Sequence, residues 1–123
     1  MQGIQGQITW VYTHDLETSA GFYRDMLRLP VSRDAGTAVI FETTPNAFVG
    51  VCEVFGDRTV EPEGGMITFL VDTKDQVDDR FAQLKARGVA LGKAPQELDQ
   101  FGIYSFFCTD PNGYVIEIQT FLK

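Results

Sequence analysis

A chain of 123 residues, 44% of them hydrophobic, has the size of one compact domain and can bury most of the surface it would expose unfolded. Its 10 basic against 17 acidic residues leave a net charge of -7, which repels phosphate backbones and anionic lipid and so argues against nucleic-acid and membrane partners. No apolar run reaches the length of a membrane span, the first residues lack signal-peptide features, and Cys52 and Cys108 have no CxxC spacing, so a soluble cytoplasmic protein with two reduced structural thiols is expected.

Residues 8–13 (ITWVYT) are β-branched and aromatic and read as a strand, with Ile8, Trp10 and Tyr12 on one face and Thr9 and Val11 on the other. Asp15 is placed to cap a helix over residues 16–28, where Glu17 suits the positive end of the dipole and Phe22, Met26 and Leu29 recur at helical spacing up to Pro30. Strands near 31–34, 38–43 and 48–55 follow, with a turn at Pro45-Asn46. This half therefore runs βαβββ. Residues 56–65 are charged and rich in Gly, a surface linker.

The pattern then begins again. Residues 66–71 (MITFLV) read as a strand; Thr73 and Gln76 have the spacing of a capping box, opening a helix with Val77, Phe81 and Leu84 inward, and Gly88 closes it as a left-handed cap. A weaker strand at 94–98 leads to Asp110-Pro111-Asn112-Gly113, a tight turn joining strands 103–109 and 114–121. The second half is βαβββ too.

Self-similarity of this kind can decide an architecture. ITWVYT before Asp15 answers MITFLV before Asp72, and Val51-Cys52-Glu53-Val54 answers Val115-Ile116-Glu117-Ile118. By alternation Val51, Glu53 and Phe55 share a face, as do Val115, Glu117 and Gln119, and both carboxylates are expected on the concave side of their sheets. The plain alternative for each is an ordinary surface Glu. Most of the aromatic residues read as core; Trp10 and Tyr12 stand out because each joins an apolar body to one polar handle on the face expected to line a cavity. Tyr104 and Phe106, on the penultimate strand, are candidates to join them, their face being open at this stage. His14 ends the first strand, where a solvent-exposed position is favoured over an acid or base at a cavity rim.

The two βαβββ modules, with DLETSAGFYRDMLRLP in the first and DPNGYVIEIQTF closing the second, resemble the vicinal oxygen chelate superfamily, which includes glyoxalases, extradiol dioxygenases, fosfomycin-inactivating enzymes, methylmalonyl epimerases and bleomycin-resistance proteins. The resemblance covers about residues 8–121. It implies a single α+β domain of two tandem modules (about 7–55 and 66–121), with curved mixed sheets around a cavity, helices outside, and pairing of chains as a homodimer. Metal-dependent members place ligands on the first and last strand of each half, positions that fall here near Ile8, Glu53, Met66 and Glu117. Two imidazoles are thus replaced by Ile and Met, and His14 is the only His. A zinc or iron site of two His and a carboxylate is not expected, nor any other cofactor; two carboxylates alone would favour magnesium or manganese.

The leading expectation is therefore a metal-free binder similar to the bleomycin-resistance branch, sequestering a planar or cationic ligand in an acidic aromatic cavity through Glu53, Trp10, Tyr12, Tyr104, Phe106 and Glu117. The alternative is a metal-free isomerase or lyase with Glu117 as general base. A metal-dependent glyoxalase or dioxygenase ranks third.

Overall fold

Two sheets with the same strand order carry the chain in the computed structural model, which describes residues 1–123. The chain divides into two compact units, Met1–Glu61 and Pro62–Lys123, whose boundary falls in the strand-free segment between residues 56 and 65. No helix is long and apolar enough to cross a membrane.

The first unit contains β1 (Gln7–Thr13), α1 (Leu16–Gly21), β2 (Val31–Asp34), β3 (Ala38–Thr44) and β4 (Ala47–Glu53). Its sheet order is β1-β4-β3-β2, with β1 parallel to β4 and the other pairs antiparallel. Asp15 caps α1 as its sequence position implies, accepting from the Thr18 N–H at 3.2 Å and the Thr18 hydroxyl at 2.8 Å, and these bonds hold its carboxyl below the usual carboxylate range. Val11, Val49, Val51, Val39 and Phe41 form the buried face beneath the helical segment, where the Tyr23 ring lies 6.0 Å from Phe41. The Thr13 and Ser19 hydroxyls join across the same contact at 2.7 Å.

The helix departs from the regular α-helix implied by its spacing. From Phe22 to Met26 it widens to a π turn, with the Leu27 N–H donating to the Phe22 carbonyl at 3.0 Å, and Arg28 then turns left-handed at φ 56°. Both Phe22 and Tyr23 are buried at this turn, their rings edge to face at 5.2 Å. An α-helical count from Phe22 to Met26 and Leu29 passes over Tyr23, which is fully buried.

The second unit contains β5 (Met66–Leu70), α2 (Lys74–Ala86), β6 (Ala90–Leu91), β7 (Gln96–Leu98), β8 (Ile103–Thr109) and β9 (Val115–Phe121). Its order is β5-β9-β8-β6, with β7 also on β8 and β5 parallel to β9. The capping box of Thr73 and Gln76 is formed, and Gly88 closes α2 at φ 79°. Strand β6, only two residues long, is too short to leave a periodic signature. Both units thus place their first strand parallel to their last, the repeat realised as topology.

The β8–β9 turn is held from within. The Gly113 N–H donates to the Asp110 carbonyl at 3.0 Å, and Asp110 Oδ1 accepts from the N–H groups of Asn112 at 2.8 Å and Tyr114 at 2.9 Å. Because Asp110 is buried, Asp110→Ala leaves two N–H groups without their acceptor and is expected to cost about 1–3 kcal/mol, read as a lowered urea midpoint at unchanged slope.

Candidate ligand-binding site

Strand β9 runs through the middle of the second sheet, and its register decides which way Glu117 points. Ile116 and Ile118 pair with Cys108 and Phe106 of β8, and Phe106 meets Phe81 of α2 edge to face at 5.2 Å, so this face turns toward the helix. Val115, Glu117 and Gln119 therefore turn away from α2, beside Met66, Thr68 and Leu70 of β5 and Thr109, Phe107 and Ser105 of β8. Glu117 is 3% exposed. Thr68 Oγ1 donates to its Oε1 at 2.8 Å, and Glu117 takes no part in the ion pairs of Arg24 with Asp25, Arg58 with Asp57 and Lys74 with Glu97. Exposed Met66 and Leu70 flank this carboxylate with apolar surface.

Glu53 does not share that orientation. It pairs with Thr13, whose hydroxyl bonds Ser19 of α1, so it stands on the helix side of its sheet, exposed at the strand's end. The N-caps Asp15 and Thr73 supply the correct frame for the repeat. Three residues before them lie Tyr12 and Leu70, paired with Cys52 and Gln119; two residues earlier still lie Trp10 and Thr68, paired with Gly50 and Glu117. The counterpart of Glu117 is Gly50. Matching Glu53 to Glu117 by residue type slips the frame by an odd number of residues, and an odd slip exchanges the two faces of a strand.

Gly50 is where Trp10 rests. A Cβ on Gly50 would fall 2.4 Å from Cε3 and Cζ3 of the indole, so the ring lies flat on bare backbone. Trp10 remains 40% exposed on the face away from α1, which it shares with Ile8 and Tyr12, and Tyr12 leans on Phe55 at a centroid distance of 6.1 Å. Gly50→Ala is expected to lift the indole, shifting Trp emission and costing about 1–3 kcal/mol in a thermal melt.

Tyr104 and Phe106 face α2, correcting the expectation that they join Trp10 and Tyr12 on a ligand-lined face. Phe106, 1% exposed, is core. The Tyr104 hydroxyl donates to Asp78 Oδ1 at 2.7 Å, while Lys74, paired with Glu97, sits 5.4 Å above the Tyr104 ring. The bond to Asp78, with burial and the charge of that carboxylate adding to it, pushes the phenol up to about 12 from 10.0. A raised folded-state value stabilises the fold below the unfolded one, so this contribution is expected in full below pH 10 and to fade as pH rises through 12. Tyr104→Phe should remove that alkaline slope from the melting temperature.

His14 is exposed in the bend after β1 and joins none of these groups. No three His, Cys, Asp or Glu side chains are grouped as a metal site requires. Sequence reasoning did not single out Thr68, Ser105 or the relation of Gly50 to Glu117. The N-cap frame, present in the sequence at Asp15 and Thr73, is the signal that finds the last of these.

The fold agrees with known proteins. The model of the Glyoxalase/Bleomycin resistance protein/Dioxygenase superfamily matches residues 4–118. A glyoxalase/bleomycin resistance protein/dioxygenase from Nocardioides is similar in structure at TM-score 0.81 and 21% identity, covering 100% of this chain and 85% of that one. Lactoylglutathione lyase from Agrobacterium tumefaciens is similar at TM-score 0.77 and 21% identity, covering 98% and 96%. A glyoxalase-related enzyme from Fulvimarina pelagi is similar at TM-score 0.78 and 18% identity, covering 98% and 88%. At such identities these likenesses speak to the fold alone, and no curated protein sequence matches. Since the family model spans nearly the whole chain and the tandem βαβββ topology is present, the protein belongs to the glyoxalase/bleomycin resistance protein/dioxygenase superfamily.

Proposed function

We propose that the protein binds a small organic ligand without a metal ion, and that the ligand is planar, cationic or both, with Glu117 as its charged contact. One observation carries this reading: Glu117 is buried, and its hydrogen-bond partner is a single neutral hydroxyl. A carboxylate so placed is costly unless a cation or strong donor faces it, and a ligand ammonium would supply both. The net charge of -7 draws cations toward the protein at long range. On the first unit taken by itself, Trp10 and Tyr12 are proposed as contacts for a planar ligand.

The donor set does not fit a zinc or iron centre. The register moves the carried-over position from Glu53 to Gly50, leaving Ile8, Gly50, Met66 and Glu117 with one oxygen ligand among them. Calorimetric titration with 4-methylbenzylamine is the test, run before and after chelation. Binding in the micromolar to millimolar range with the same affinity in both supports the reading. Loss of binding on chelation, or one equivalent of zinc, iron or nickel per chain by elemental analysis, overturns the metal-free part.

A second reading is favoured by Thr68, which holds Oε1 alone and so orients the carboxylate. Glu117 would then be the general base of an isomerase or lyase. We also propose a homodimer, because β1 and β5 are edge strands of their sheets and carry exposed Ile8, Trp10, Met66 and Leu70. Sedimentation is expected to give twice the chain mass at micromolar concentration, and a monomer there excludes it.

A further inference from the structure

Ser105 is the one residue with a buried side-chain polar atom that has no hydrogen-bond partner. It is 1% exposed and pairs across β8–β9 with Gln119, itself buried, on the face that carries Glu117. A desolvated hydroxyl without a partner is costly, and folded chains keep few of them. Replacing it by Ala would remove that cost at little loss of volume, so its presence calls for a partner outside the chain. Gln119 next to it adds an amide able both to donate and to accept.

The geometry points to a second, neutral polar subsite at Ser105 and Gln119, which takes a carbonyl or carboxamide of the ligand whose cationic end meets Glu117. This rests on the reading of the Glu117 face as the ligand site and adds the class of molecule. Glu117 and Gln119 are two residues apart on one strand, about 7 Å along it, and Ser105 lies opposite Gln119 at about 5 Å between Cα atoms. The ligand is therefore bifunctional, with an ammonium and a carbonyl group about 7 Å apart. Its frame between them is apolar, to suit Val115, Met66 and Leu70. Thr68 is already engaged with Glu117, whereas the Ser105 hydroxyl is buried without a partner.

The test compares 4-(aminomethyl)benzamide, which has this spacing on a flat frame, with 4-methylbenzylamine, which carries a methyl group in place of the carboxamide. By calorimetry the carboxamide is expected to tighten binding roughly three- to tenfold, the range of a net hydrogen bond, and Ser105→Ala to bring the ratio to near one. Thermal unfolding of the ligand-free variant separates this from a structural role, since removing an unsatisfied hydroxyl should leave the melting temperature unchanged or raised. Equal affinity of the two amines for the unaltered protein overturns the subsite and leaves the Glu117 reading standing. A melting temperature lowered by Ser105→Ala, with the ratio kept, overturns it as well. If neither amine binds, the Glu117 reading fails and the subsite fails with it.

Discussion

Phe106→Ala is expected to destabilise the protein by about 3–5 kcal/mol, the range for truncating a buried aromatic side chain. Phe106 is 1% exposed, its strand neighbour across β8–β9 is Ile118, and its ring stands edge to face with Phe81 at 5.2 Å and 82°. Truncation removes the apolar contact and leaves a cavity between α2 and the sheet, which the rigid strands on either side cannot close. Against a total stability of about 5–15 kcal/mol for a domain of this size, the change is large enough to lower the urea midpoint severely or to prevent folding at 37 °C. A loss under about 1 kcal/mol would mean that the ring does not carry this core, and Phe106 would return to consideration as a ligand contact. Trp10→Phe is the natural comparison, because changing a 40% exposed ring is expected to cost far less in stability.

Phe106 and Glu53 also show where a sequence stops specifying a site. The capping box at Thr73 and Gln76, the Asp15 cap, the left-handed Gly88 and the Asp110–Gly113 turn are local signals, each complete within a few residues, and the chain folds at them as their chemistry dictates. From them the βαβββ repeat and both sheets are legible. The facing of a side chain is a different quantity, because it depends on pairing between strands far apart in the sequence. Val51-Cys52-Glu53-Val54 and Val115-Ile116-Glu117-Ile118 look alike as text, yet β1 pairs Thr13 with Glu53 while β5 pairs Thr68 with Glu117. Three residues of frame separate the two carboxylates, and with a side-chain period of two that difference sends one toward its helix and the other away. For Phe106, alternation gives two possible faces, and only the contact with Phe81 chooses between them. Ser105 escaped notice for a related reason: a serine in a strand signals nothing until burial without a partner is known.

Glu117→Gln separates a binding protein from an enzyme, and its effect on turnover is the largest expected here. The substitution keeps the shape of the side chain and, through its carbonyl oxygen, the bond that Thr68 donates at 2.8 Å, so the β5–β9 pairing should survive. What it removes is a charge and a proton acceptor. If Glu117 holds the cationic end of a ligand, affinity for 4-methylbenzylamine should fall by about 1–3 kcal/mol, roughly five- to 150-fold, with binding still measurable. The Trp10 side chain should be undisturbed in the free variant, giving unchanged emission. If Glu117 is instead a general base, ligand affinity should hold nearly constant while turnover of an oxo-acid or lactone falls by roughly a hundredfold or more, an effect on kcat with little on KM. Thr68→Val adds the discriminating step. Freed of its neutral donor, Glu117 relies more on the ligand's cation, so a binding role predicts amine affinity that holds or rises. A catalytic role predicts a slower reaction, because the carboxylate is no longer held in one orientation. Unchanged amine binding in Glu117→Gln, with no turnover in either protein, would leave the buried carboxylate without a ligand and exclude both roles.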